Sequence, residues 1–391
     1  MNSTNQSLAG RRALNPGPLQ VLPVEGRRDL RRFIHLPWSI YVEDPAWVPP
    51  LILERRQHLS DRNPYFAHAK YRAWIAYRDA RPVGRISAQV DQLHRERYQD
   101  DTGFFGMLEA EDDAETFRML MDTAETWLRD QEMRRVLGPF NLSVNQECGL
   151  LVEGYDTPPS IMMGHARPHY ATRIEEQGYR QEKDLLAYRV NADFEFSAAM
   201  QAAMKRASRR VRVRPLRKSH FAEDLKILQD IFEDAWSENW GFVPFTEAEF
   251  EHLGETLKLL VREEYIQIAE VEGVPAAMMV ALPNVNEAIH DLNGRLLPYG
   301  WFKLFWRLKV AHPKSVRVAL MGVRKRYQKG LLGGALALMV IQAVRAPAVR
   351  RGVVEAEMSW ILDDNIGMRN IIESIGGKAY KRYRIYSKEL V

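Results

Sequence analysis

The sequence has a single cysteine, Cys148, among 391 residues. It cannot form an intramolecular disulfide. It also excludes cysteine-rich zinc sites and iron–sulfur clusters, and it points to a reducing compartment. Strong charge of either sign is lacking: 55 basic against 51 acidic residues leave a formal charge of +4. The molecule as a whole is therefore no polyelectrolyte binder, and a nucleic-acid partner is not expected. Long apolar runs are missing too. The longest uncharged stretch, Gly330–Val344, has 15 residues, whereas a spanning helix needs about 20. Met1–Gln20 has no apolar core for a secretory signal and reads as a loose tail. These absences favour a cytoplasmic chain, either free or resting on one membrane face.

What is present is ordinary globular composition, 46% apolar and 27% charged, at a length that suggests two domains. Elements of both kinds alternate. Tyr71–Tyr77 and Val83–Val90 read as a strand pair around Asp79–Pro82, and Tyr265–Val271 and Ala276–Leu282 as another around Glu272–Pro275. Asp112–Gln131 has helical spacing through Phe117, Leu120, Met121, Ala124 and Leu128. Gly178–Tyr188 and Gly376–Tyr386 have equal length, and each runs from a helix-stopping glycine to a strand tyrosine. These correspondences predict two copies of one α/β unit. Between them Lys205–Lys218 holds eight basic residues in fourteen. It reads as an exposed linker running into an edge strand, or as a contact for an anionic surface.

The sharpest local signal is Val323–Leu336, VRKRYQKGLLGGAL, which follows a strand and opens a helix. Main-chain N–H groups at a helix start lack internal partners, and the helix dipole favours an anion there. Gly330, Gly333 and Gly334 allow close backbone approach, and Arg324, Lys325, Arg326 and Lys329 add positive charge. Neither a Walker loop nor a GxGxxG pattern is present.

This stretch resembles the acyl-CoA loop of the GNAT N-acyltransferases, V-x-P-x-Y-[RQ]-x-x-G-x-G. Val323, Tyr327, Gln328 and Gly333 fall in register; Lys325 replaces the usual proline, and Leu331 stands where the middle glycine is expected. In Asp364–Gly377, Asn365 and Gly376 match a second GNAT pattern, while the tyrosine that often serves as general acid is Ile372. NPYF at Asn63–Phe66, GPFN at Gly138–Asn141, NWGF at Asn239–Phe242 and DLNGRLLPYGW at Asp291–Trp301 extend the resemblance to a tandem-GNAT family of proteobacteria that includes bacterial ceramide synthases. The resemblance runs from about Leu22 to the end of the chain. It implies an α/β fold of two GNAT-like domains, each a mixed, mostly antiparallel sheet flanked by helices. The implied division is a tail over 1–20, a degenerate domain over 21–195, and the acyl-CoA-binding catalytic domain over 196–391. The first domain is expected to lack a working CoA loop, because Gly103–Glu115 is acidic where the phosphates would sit. The implied activity is transfer of a fatty acyl group from acyl-CoA to the amine of a 3-keto sphingoid base, with no metal. Val323, Arg324, Tyr327, Gln328, Lys329, Gly330, Gly333, Gly334 and Asn365 are the expected CoA contacts.

Amide formation from a thioester needs a base for the amine and donors for the tetrahedral oxyanion. The donors are sought at the end of strand Val316–Val323, where neighbouring strands splay. Glu355, Glu357 and Ser359 share one strand face. A carboxylate inside a covered sheet either pairs with an arginine or does chemistry, so Glu357 is a candidate base. His290 and Asp291 are the other candidates. Cys148 is read as buried packing.

More than thirty residues separate strands Ala276–Leu282 and Val316–Val323, far beyond a hairpin loop. Within them, Leu296–Val310 interleaves Trp301, Phe302, Phe305 and Trp306 with Lys303, Arg307 and Lys309. Two readings fit: a helix packed on the other domain, or an interfacial helix that touches a membrane or covers a long acyl chain. The latter favours a lipid amine substrate. The alternatives are acetylation of a small amine or protein lysine, FemABX-like transfer from aminoacyl-tRNA, and a non-catalytic CoA- or lipid-binding regulator.

Overall fold

In the first half, β1 (Leu19–Pro23), β2 (Ala69–Arg78), β3 (Arg81–Asp91), β4 (Thr102–Ala110) and β5 (Arg135–Gly138) lead through the short β6 (Phe140–Asn141), β7 (Glu147–Cys148) and β8 (Leu150–Glu153) to β9 (Arg180–Asn191). The second half repeats the order as β10 (Val211–Pro215), β11 (Ile266–Val271), β12 (Val274–Pro283), β13 (Ser315–Val323), β14 (Glu355–Leu362) and β15 (Lys378–Glu389). The structure is a computed structural model that describes residues 17–390, apart from the side chains of 257, 259 and 260.

Both hairpins close in the same way. Asp79 and Ala80 (φ 51° and 63°) link β2 to β3, and Glu272 and Gly273 (φ 52° and 82°) link β11 to β12. Two consecutive left-handed residues give the turn whose twist matches that of the strands it joins.

Thirteen strands among the described residues form one sheet, ordered β1-β2-β3-β4-β5-β15-β9-β14-β13-β12-β11-β10, with β8 also on β15. The last strand of each half therefore lies beside the other half: β15 pairs with β5, and β9 pairs with β14. The two exchanged strands pair antiparallel along the middle of the sheet, from Lys378↔Arg189 to Ser387↔Arg180. At this seam the buried Asp184 carboxylate accepts from Arg384 Nε at 2.8 Å and Arg382 Nη1 at 3.0 Å. Those guanidinium groups hold its carboxyl below the usual range despite burial. Tyr383, Ile385 and Tyr386 pack beside it with no exposure.

The helix Leu331–Arg350 has ten buried residues, most of them in the second half's core. By length and composition it is apolar enough to cross a membrane, yet its place is against the sheet. The helix Phe221–Trp236 also packs on β12 and β13, close enough that a Cβ at Gly322 would lie 3.1 Å from Ala235.

Several boundaries differ from expectation. The tail expected over 1–20 lies, up to residue 16, outside the described residues, and β1 already begins at Leu19. The expected basic linker starts in the last turn of the helix Ala198–Ala207, which packs on Leu331–Arg350, and runs on into the edge strand β10. Much of its charge is used internally: Arg214 and Arg217 close on buried Asp224, at 3.0 and 2.7 Å. The helix Glu247–Leu260 has no counterpart in the sequence reading. His68 lies under it, hydrogen-bonded to Asp91 at 3.1 Å and 3.3 Å from Glu249, which ties that helix to the first half.

Because each half's sheet is completed by the other's last strand, neither half holds its full set of partners alone. Fragments 17–195 and 196–390, produced separately, are expected to show no cooperative thermal transition by circular dichroism, and co-expression should restore one. A sharp melt of 17–195 alone would contradict the exchange.

Candidate active site

β13 and β14 are parallel but pair only from Ser315–Val318 to Glu355–Met358. Beyond this, β13 continues to Val323 and β14 to Leu362 without bonding to each other. The gap lies at the expected end of β13. A cavity of about 210 Å³ opens there, walled by β13, β14 and β12, by Phe232 and Trp236, and by the Asn239–Phe245 connection. The first half contributes Val144, Asn145, Cys148 and Met162 to the same wall. The lining is mostly aliphatic and aromatic.

The loop leaving β13 is braced from below. Arg324 donates Nε to Pro275 O at 2.8 Å and pairs with Asp230. Lys325 donates its main-chain N–H to Asp234 at 2.8 Å and its Nζ to Glu238 at 2.6 Å. Gln328 donates to Val323 O at 2.8 Å. The side chains of Arg324 and Gln328, two of the expected CoA contacts, thus brace the loop from within. Val323 closes the strand, and Arg326 stacks on Tyr327 at 4.6 Å. Lys329 and Leu331 are exposed. Gly330 adopts φ 120°, and no side chain caps the helix that follows. Its first-turn N–H groups are left without intrahelical partners. Gly333 is required by contact, since a Cβ there would lie 2.3 Å from Tyr327 O. Gly334 faces open space.

The corresponding helix of the first half, Ala114–Asp130, starts differently. Asp113 accepts from Thr116 N at 2.9 Å, so its N-terminus is already occupied by a carboxylate. The acidic run around it is matched by Arg78, Arg81 and Arg173.

Glu357 is buried on β14. Its Oε1 accepts from Ser359 Oγ at 2.7 Å, and its Oε2 accepts from Tyr380 OH. Arg317 Nε lies 4.0 Å away. Glu355 pairs with Arg189 at 3.0 Å. Ser359 lines the cavity, so Glu357 stands one hydroxyl behind its wall. Burial pushes the neighbouring Lys381 ammonium down to about 8 even though Glu357 opposes the shift, and Lys381 donates to Gly154 O and Thr157 O at 2.5 and 2.7 Å. Asn365 lines the cavity while its side chain caps the helix Ile366–Ser374 by accepting from Met368 N at 3.1 Å. Ile372 is core.

The two other candidate bases are absent from the cavity lining. His290 is exposed, with Nδ1 2.9 Å from Glu287 O. Asp291 accepts from Arg307 through both nitrogens, at 2.9 Å on Nη2, with Lys303 at 3.5 Å. The Arg307 hydrogen bonds hold its carboxyl well below the usual range, which makes it a poor base. The sequence reading missed Arg317, whose only signal is an arginine inside the otherwise apolar strand VRVALMGV. Cys148 belongs to the cavity wall, and burial pushes its thiol up to about 12, away from any nucleophilic form.

Asp291 instead anchors the aromatic insertion. Leu304 and Leu308 pack on Val285, Ile289 and Leu292. Trp301, Phe302, Phe305 and Trp306 face outward, each 52–57% exposed.

Two α/β units in tandem, with a splayed parallel pair and a glycine-bearing helix start after the splay, define the tandem GNAT acyltransferase class. Solved structures agree on the fold. The tandem GNAT protein from the clavulanic acid biosynthesis pathway matches 96% of this chain and 99% of its own, at TM-score 0.56 and 11% identity. The GCN5-related N-acetyltransferase from Sphaerobacter thermophilus matches 95% and 96%, at TM-score 0.53 and 12% identity. No family profile matches the sequence. The chain is 50% identical to protein YghO of Escherichia coli (strain K12), over 93% of this chain and 94% of that protein. It is 44% identical to the bacterial ceramide synthase of Caulobacter vibrioides (strain NA1000 / CB15N), over 95% and 98%. The chain belongs to the tandem GNAT acyltransferase family of these two proteins.

The two loop glycines should separate by stability. Gly333→Ala forces a methyl onto Tyr327 O and is expected to cost about 1–3 kcal/mol. Gly334→Ala, in a helix with free space, should be neutral or gain up to about 1 kcal/mol. Thermal melts of the two variants check this.

Proposed function

We propose that this protein transfers a fatty acyl group from acyl-CoA to the amine of a sphingoid base of the 3-keto type, and so makes a ceramide-class lipid on the cytoplasmic side of the cell. The observation that carries the reading is the apolar cavity at the β13–β14 gap, next to an uncapped helix start. A small acetyl group needs no such greasy chamber, whereas a long chain does. The name of the Caulobacter relative points to the same chemistry.

In this reading the pyrophosphate of CoA rests on the N–H groups at Leu331–Gly334, beside Tyr327 and Lys329. The self-capped helix start of the first half makes no second such site. The thioester carbonyl enters the gap, where main-chain N–H groups of β13 that no longer face a partner strand stabilise the oxyanion. The amine gives its proton to Ser359 Oγ as Ser359 passes its own to Glu357, a relay that the 2.7 Å contact supports. The neutral nitrogen then attacks the carbonyl to form the C–N bond; the tetrahedral intermediate collapses with cleavage of the C–S bond, and the second nitrogen proton passes to the leaving thiolate, which departs as CoA thiol.

Thiol release with mass detection of the product tests this. Wild-type protein given palmitoyl-CoA and 3-ketosphinganine should yield the N-acyl product, and acetyl-CoA should give far less. Glu357→Gln should lower kcat by about 10²-fold or more with an unchanged melting temperature. Acetyl transfer alone would remove the lipid reading.

The aromatic insertion supports delivery of the substrate from a bilayer. Its outward rings suit an acyl boundary, and at its end Lys309 neighbours Lys218 and Arg262, which together with burial lower its ammonium pKa. Binding to vesicles containing phosphatidylglycerol is expected, and Trp301→Ser with Phe305→Ser should reduce it at least about tenfold while leaving the melt intact. Equal sedimentation of wild type and variant with these vesicles would remove the membrane role.

A further inference from the structure

Arg317 is 1% exposed and is the one charged side chain in the lining of the apolar cavity among the described residues. A guanidinium offers five N–H donors. Three have acceptors: Nε donates to Ser359 Oγ at 2.9 Å, Nη1 to Ile161 O at 3.2 Å, and Nη2 to Ser359 O at 3.3 Å. One N–H on each Nη is left over among the described residues. The nearest carboxylate does not take them, since Glu357 sits 4.0 Å from Nε and is turned to Ser359 and Tyr380. Trp360 lies against the guanidinium, with Arg317 Cζ 4.9 Å from its ring. Trp360 also lines the cavity, and its indole Nε1 is buried without an acceptor among the described residues.

A buried cation with spare donors, next to an orphaned indole N–H, is costly unless a ligand satisfies it. Every spare group is a donor. What completes the site is therefore an oxygen acceptor carried by a molecule that is otherwise largely apolar, because most of the wall is groups such as Phe232, Trp236, Leu282 and Met321, with Asn145, Asn239, Ser359 and Asn365 its other polar side chains. An ammonium, which has only donors and a like charge, does not fit against the guanidinium itself.

We propose that Arg317, with Trp360, reads the oxygen function of the lipid acceptor. It holds a keto or hydroxyl oxygen a few bonds from the reacting nitrogen and so makes the enzyme select oxygenated long-chain amines over plain alkylamines. This rests on the proposed function, in which the acceptor amine reaches Ser359 in the same cavity that takes the start of the acyl chain. It assigns Arg317 to substrate selection and leaves proton transfer to Glu357. Holding the oxygen at Arg317 also turns the neighbouring amine toward Ser359, which shares Arg317's hydrogen bonds.

The test compares 3-ketosphinganine, sphinganine and hexadecylamine as acceptors with palmitoyl-CoA. Wild type should prefer the oxygenated bases in kcat/KM by about 10²-fold. Arg317→Gln should remove that preference by slowing only the oxygenated bases, and Arg317→Lys should restore part of it. A parallel titration follows quenching of the cavity tryptophans by the same three amines, without acyl-CoA. It reads selectivity even if no acyl transfer occurs, so that failure of the transferase reading and failure of this assignment separate. If Arg317→Gln fails to fold, the wild-type preference and the Arg317→Lys variant still decide. Equal loss for all three acceptors, or wild-type binding of hexadecylamine as tight as that of 3-ketosphinganine, would overturn the proposal.

Discussion

The antiparallel pairing of β9 with β15 is the contact on which the rest of the molecule depends. Each strand is the last of its own half, and each completes the other half's sheet. The seam is held by ladder hydrogen bonds, by Tyr383 and Tyr386 in the core, and by Asp184 under two arginines. A carboxylate buried with good partners specifies register as well as adding stability, since a shifted strand would strand the charge. With β9 as neighbour, β14 follows the seam, and its register with β9 shifts between Met358 and Ile361. There it parts from β13. The gap that receives the cavity is thus tied to how the halves are joined.

That join also explains why residues from both halves wall one cavity. Cys148, Met162 and Leu185 come from the first half, and β13, β14 and the helix Phe221–Trp236 from the second. The half whose corresponding helix start is capped by Asp113 still shapes the chamber. Polar groups are few there. Arg317, Ser359 and Glu357 form a short chain in which the hydroxyl sits between a cation and a carboxylate, so charge and proton can be handled in a chamber otherwise fit for hydrocarbon.

Much of this was legible in the sequence. The equal segments Gly178–Tyr188 and Gly376–Tyr386 marked the repeat, and the paired hairpins marked its strands. The strand exchange was not legible. Both segments have the same length and alternation, and periodicity says which face is inward without naming the neighbour. Val323–Leu336 stood out by its glycines as a strand–loop–helix junction, and the structure has that junction. The pairing of its charges was not legible: Arg324 meets Asp230 on the helix Phe221–Trp236, and Lys325 meets Glu238 just beyond that helix. Glu357 stood out as a carboxylate in a covered strand, whereas Arg317 escaped notice as an ordinary strand residue. Asp291 looked like chemistry and proved to be an anchor for Arg307 and Lys303. The aromatic run Trp301–Trp306 announced itself by composition; only three dimensions separated its packed leucines from its outward rings.

The most direct measurement is a crystal structure of the protein with a non-hydrolysable thioether analogue of palmitoyl-CoA. The account predicts pyrophosphate on the N–H groups of Leu331–Gly334, the carbonyl-equivalent carbon between β13 and β14, and the start of the alkyl chain in the cavity beside Ser359. Phosphates bound at the Asp113 end of the first half, or an alkyl chain lying outside the β13–β14 gap, would contradict it.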